Sequence, residues 1–207
     1  MSAGEVLFGL FITAGMAAYY YNRAKALKSR VAFIEKYVFS ISLKEKFKKK
    51  YPQLSEDAVQ KVFIALKDFF FFCTDNHWHP MPSKVVDDAW HEFILHTKEY
   101  QDFCEGAFGR FLHHTPAEAF DRNSSANKDK DGLKKMWKAA CEQEEIDRFN
   151  PEKLPLLFAI DKLLAVEGGY FYSHLEHPLN GEISAHAIKC SSDSRWTSGC
   201  GGGCGGE

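Results

Sequence analysis

Residues 82–104 read PSKVVDDAWHEFILHTKEYQDFC, and the fold turns on how this stretch is read. Ser83 suits a helix N-cap, because its hydroxyl can accept a free backbone N–H of the first turn. From there a single helix is expected to run to about Cys104. On a helical wheel Val86, Ala89, Trp90, Phe93, Thr97 and Tyr100 share one face, which should be buried. Asp87 and His91, four residues apart, lie together at one border of that face. Asp88, Glu92 and Glu99 point towards solvent, and His96 falls at the opposite border.

Upstream, Ser55 caps a second expected helix over 54–73, with Glu56 and Asp57 in the first turn, where the helix dipole favours acids. Its end, Phe69 to Phe72, is apolar on all sides and should be central to the core. The segment 75–82, DNHWHPMP, breaks this helix with two prolines and carries His77 and His79. Gly106 and Gly109 suggest where the 83–104 helix ends. Phe111, Leu112, His113 and His114 follow, and Thr115-Pro116 suits a new helix start.

Further on, DRNSSANKDKDG at 121–132 reads as a loop, and Leu133, Met136, Trp137, Ala140 and Cys141 mark an amphipathic helix. Leu156, Leu157, Ile160, Leu163 and Leu164 fit another helix, ended by Gly168-Gly169. No stretch alternates with period two. The expected fold class is all-α: a single helical domain over 31–189, after an N-terminal membrane helix and before a disordered Cys/Gly-rich tail at 190–207.

The membrane expectation rests on VLFGLFITAGMAAYYY, Val6 to Tyr21, which carries no charge. As a helix it would be ~24 Å long against a hydrocarbon core of ~30 Å, and terminal tyrosines suit the interfaces. A transmembrane helix over 1–22 is the first reading; a cleaved signal peptide and a buried core helix are the alternatives. Arg23, Lys25, Lys28 and Arg30 follow the run, so a single-pass protein of the cell membrane would keep its C-terminal domain in the cytoplasm. The basic run KEKFKKK, 44–50, reads as a solvated helix end or as a contact with anionic headgroups.

The chain has 207 residues, 45% hydrophobic, with 18 phenylalanines, enough for one domain with a real core. A net charge of −2 gives no electrostatic footprint for nucleic acid, and no nucleic-acid partner is expected. No phosphate-binding glycine loop, cofactor fingerprint or nucleophile–base pair names a reaction.

The six cysteines are Cys73, Cys104, Cys141, Cys190, Cys200 and Cys204. In a reducing cytoplasm they would be free thiols or metal ligands. Asp87 and His91 have two uses at their spacing. They can hydrogen-bond each other, or they can bind one ion. With Cys104, His113 and His114 close behind, the candidate metal set is Asp87, His91, His113, His114 and Cys104, for zinc or another divalent transition metal. Each also has a plain structural use: Cys104 as a small core residue, His113 and His114 at a helix end. The tail thiols Cys190, Cys200 and Cys204 could hold a soft ion or stand free in solvent.

DDAWHEFILHTKEYQDFC followed by FGRFLHHTP resembles the glycine-rich-domain-containing-protein-like family, through Asp87, Trp90, His91, Tyr100, Cys104, Gly109 and His113 or His114. LPLLFAID at 154–161 and SGCGGGCGG at 198–206 resemble segments of small, uncharacterised bacterial relatives. A second His often follows the Trp-His pair in that family; here position 93 is Phe and the next His is His96. The resemblance implies a shared site at these residues and no established reaction.

Three functions compete at this point. One is a membrane-anchored cytoplasmic binding module with a metal-stabilised helical core and an unknown protein partner. Another is a metal-dependent enzyme using the Asp/His cluster. The third is a structural adaptor in which the cluster is hydrogen-bonded packing.

Overall fold

The computed structural model describes residues 3–75, 80–114, 122–172 and 189–190. Among them seven α-helices hold nearly all the regular structure: α1 (Ala3–Lys36), α2 (Ile41–Lys50), α3 (Glu56–Phe72), α4 (Lys84–Leu95), α5 (Thr97–Phe108), α6 (Arg122–Gln143) and α7 (Leu156–Leu163). The all-α expectation holds at this level. A short 3-10 turn, Cys73–Asp75, follows α3.

Serine caps begin α2, α3 and α4. Ser40, Ser55 and Ser83 accept from the N–H groups of Leu43, Ala58 and Val86, each satisfying a donor that the first turn leaves unpaired. α3 is the central element. Val59, Val62, Phe63, Leu66, Phe69 and Phe70 are all buried on it. Its aromatic end packs against α4 and α5, with the Phe70 ring centre 4.9 Å from Phe103 and the Phe69 ring centre 5.1 Å from Trp90.

Four sequence expectations are corrected here. The helix expected over 83–104 is two. It stops at His96, with backbone angles of φ −82° and ψ 60°, and α5 begins at Thr97. Thr97 is consequently exposed, off the buried face, whereas Val86, Ala89, Trp90, Phe93 and Tyr100 are buried. Neither Gly nor Pro marks the break. The polar stretch 122–132, expected as a loop, forms the start of α6. Once the amphipathic turns around Trp137 are formed, each further residue joins at little cost. A small antiparallel pair ends the described chain, with Tyr170 opposite Cys190 and Phe171 opposite Lys189. Cys190 therefore lies on a strand rather than at the start of an irregular tail.

The membrane-spanning helix is the fourth correction. No helix among the described residues is long and apolar enough to cross a membrane. α1 is 34 residues long, but its uncharged part is short, interrupted by Gly9, Thr13 and Gly15, and ends in three tyrosines. The remainder is charged and continues without a break into the body, where Ile34 is buried. The single-pass placement in the cell membrane falls with the spanning helix, and so does the inside–outside argument drawn from its basic flank. Phe8, Phe11, Ile12 and Met16 are exposed on α1.

The basic run at 44–50 is structured. Phe47 is fully buried, Lys44 Nζ donates to Gln60, Lys48 pairs with Glu56, and Lys50 reaches Asp88.

Candidate metal centre

Asp87 sits in the first turn of α4, and His91 one turn later on the same side. Their spacing brings His91 Nδ1 to 3.4 Å from Asp87 Oδ2. The third group comes from further along the chain. Gly109 ends α5 in the left-handed conformation, at φ 65°, where glycine carries no steric cost. The chain then turns back along α4 through residues 110–114. His114 Nε2 arrives 3.2 Å from Asp87 Oδ1, and its ring centre is 4.4 Å from that of His91. One donor atom from each of Asp87, His91 and His114 lies within 4.8 Å of the others.

Burial gives this group its character. Asp87 is 1% exposed, and its Oδ2 has no hydrogen-bond partner. A buried carboxylate oxygen left without a partner costs about 1–3 kcal/mol. The two rings are partly covered, His114 more so than His91. Burial lowers the His91 pKa; the Asp87 carboxylate opposes the shift and the neighbouring His114 adds to it. A neutral imidazole is the form that binds a metal.

His113 and Cys104 stand apart from this group. His113 is exposed and its ring rests against Phe111, 4.9 Å between centres. Cys104 is wholly buried. Burial raises its thiol pKa, against opposing hydrogen bonds with the Leu112 backbone and Tyr100. Metal ligation needs the thiolate, which this environment disfavours. His77, His79, Cys200 and Cys204 lie outside the described residues.

Asp88 is the residue whose placement differs most from expectation. It is 2% exposed rather than solvated. It accepts from the Tyr51 hydroxyl, from Lys50 Nζ at 2.6 Å and from Lys84 Nζ at 3.2 Å. Burial alone would raise its pKa; the hydrogen bonds from Lys50 and Tyr51 and the two lysine charges outweigh it and hold the pKa low. The wheel failed because it knows one helix. The end of α2 packs on the side of α4 that Asp88 faces. Glu99, also expected in solvent, is part-buried and accepts from Tyr37 Oη and from Ser40 N and Oγ.

Sequence reasoning missed Asp161. This residue of α7 is 1% exposed and accepts from Ser83 Oγ, the N–H groups of Lys84 and Val85, and the N–H of Tyr170. It anchors the N-terminus of the helix that carries Asp87 and His91. A lone acid within the apolar run LLFAIDKL was the available signal.

Residues 29–193, most of the chain and every residue of this group, match the family model described as UCP032817-like. The chain belongs to the UCP032817-like family. This corrects the resemblance to the glycine-rich-domain-containing-protein-like family, towards which nothing found here points. No curated protein and no solved structure matches the chain. In this UCP032817-like protein the Asp87–His91–His114 group is thus described by its own geometry.

Proposed function

We propose that this protein is a helical module that binds one divalent transition-metal ion through Asp87, His91 and His114. One observation carries the reading: a buried carboxylate faces two imidazoles while its Oδ2 lacks any hydrogen-bond partner. An ion would satisfy that oxygen. The two imidazoles approach the two oxygens of one carboxylate, His114 at 3.2 Å from Oδ1 and His91 at 3.4 Å from Oδ2, so that one donor atom from each side chain is within 4.8 Å of the others and an ion bonded at about 2 Å could draw on all three. Two imidazoles and a carboxylate suit zinc and its first-row neighbours rather than calcium or magnesium. Three protein ligands would leave a position for water or a fourth group.

A second reading has its own support. His114 Nε2 is within hydrogen-bond distance of Asp87 Oδ1, as an adaptor held together by polar packing would need.

Metal titration of the purified full chain separates them. Stripped of metal, the protein should take up one zinc or cobalt(II) ion per chain, and Asp87→Ala and His114→Ala should each lose it. Failure of the wild-type chain to bind either ion above background would sink the metal reading and leave packing.

A further inference from the structure

His114 belongs to an irregular segment, and irregular backbone stays in place only if its polar groups find partners. The carbonyl of Leu112, two residues before His114, accepts a hydrogen bond of 2.6 Å from the Tyr100 hydroxyl. That hydroxyl in turn accepts from Trp90 Nε1 at 3.1 Å. Trp90 lies on α4 between Asp87 and His91, and its ring meets His114 edge-on, 4.6 Å between centres. The contacts close a circuit: Trp90 on α4, Tyr100 on α5, Leu112 and His114 on the returning chain, and Asp87 on α4 again.

We propose that Tyr100 is a positioning residue for the Asp87–His91–His114 group, its hydroxyl holding the Leu112 carbonyl so that His114 meets Asp87. In its metal-binding consequence the proposal rests on the function proposed above; in its geometry it does not. Packing does not account for the hydroxyl. The Tyr100 ring meets Phe93 and Phe111 at 5.2 and 5.3 Å between centres, contacts that a phenylalanine would keep. Tyr100 itself is 1% exposed, so its hydroxyl lies out of reach of solvent. Removing only the oxygen would leave the Leu112 carbonyl and the Trp90 N–H without this bond, and water has no access to replace it.

The test compares Tyr100→Phe with Tyr172→Phe. The second variant deletes another buried hydroxyl-to-carbonyl bond, from Tyr172 to Pro82, and controls for general loss of stability. In metal-free protein, proton NMR should show cross-relaxation between the His114 and Trp90 rings in the wild type and in Tyr172→Phe. Tyr100→Phe should lose it. Cobalt(II) affinity should fall about 10- to 100-fold in Tyr100→Phe, with a changed d–d absorption spectrum, and stay within about twofold in the control. Unchanged ring cross-relaxation in Tyr100→Phe, or equal loss in both variants, overturns the proposal. Loss confined to Tyr100→Phe in a protein whose wild type binds no cobalt keeps the positioning role and refutes only the metal reading. Should Tyr100→Phe fail to fold, the wild type still decides. Its Tyr100 hydroxyl proton should exchange slowly and cross-relax with the Trp90 indole N–H, and free exchange overturns the proposal.

Discussion

His114 and Asp87, 27 positions apart in the chain, meet with 3.2 Å between Nε2 and Oδ1. Its sequence neighbour His113 faces solvent instead. The two histidines are therefore expected to differ sharply. His114→Ala should abolish stoichiometric zinc or cobalt binding, as should His91→Ala, whereas His113→Ala should leave affinity within about twofold. Equilibrium competition against a chromophoric chelator measures all three.

Asp88 gives a prediction about acid stability. Its pKa is held low in the folded protein, so it contributes stability that is present above the unfolded value of about 4 and lost as pH falls through the folded one. Asp88→Ala leaves the buried Tyr51 hydroxyl without its acceptor, while both lysines can turn to water. The expected cost at pH 7 is about 1–3 kcal/mol. Urea unfolding should show the wild-type advantage shrinking below pH 4.

Asp68 on α3 predicts the opposite slope. Burial pushes its pKa up to about 6, against the hydrogen bond it accepts from Gln143. A raised carboxyl contributes stability that is full below its unfolded value and lost as pH rises through the folded one. Asp68→Asn should therefore melt higher than wild type at pH 7.5, with the difference vanishing near pH 4. Calorimetry at the two pH values checks it.

Two glycines of the α5 region separate packing from backbone conformation. A Cβ on Gly106 would come within 2.5 Å of the Phe33 ring that α1 lays against α5. Gly106→Ala should cost about 1–3 kcal/mol through overpacking. At Gly109 the φ of 65° is the larger constraint, and Gly109→Ala should cost about 1 kcal/mol or more. Because Gly109 also sets the return path towards His114, its substitution should weaken metal binding more than the Gly106 change does.

Much of the site could be read from the chain alone. The four-residue spacing of Asp87 and His91 was enough to put them side by side. His113, His114 and Cys104 close behind the pair are all candidates in the sequence, but telling which of them comes near Asp87 needs the backbone direction after a left-handed glycine. Asp88 and Asp161 were illegible for a common reason. Each is buried by an element remote in sequence, α2 in one case and the start of α4 in the other, and a single-helix wheel has no knowledge of neighbours. The break at His96 carries no proline or glycine. Its reward is tertiary: Glu99 reaches Tyr37 and Ser40, and Tyr100 reaches Trp90.

That elbow has a geometric consequence. In one straight helix Trp90 and Tyr100 would stand ~15 Å apart along the axis, at about 1.5 Å per residue; bent at His96, the chain brings indole and phenol to 3.1 Å. Adding a single residue at the joint would swivel α5 by about 100° about its own axis. Both helices would survive, but the phenol would swing away from the indole, and the strand of chain that delivers His114 would lose its foothold.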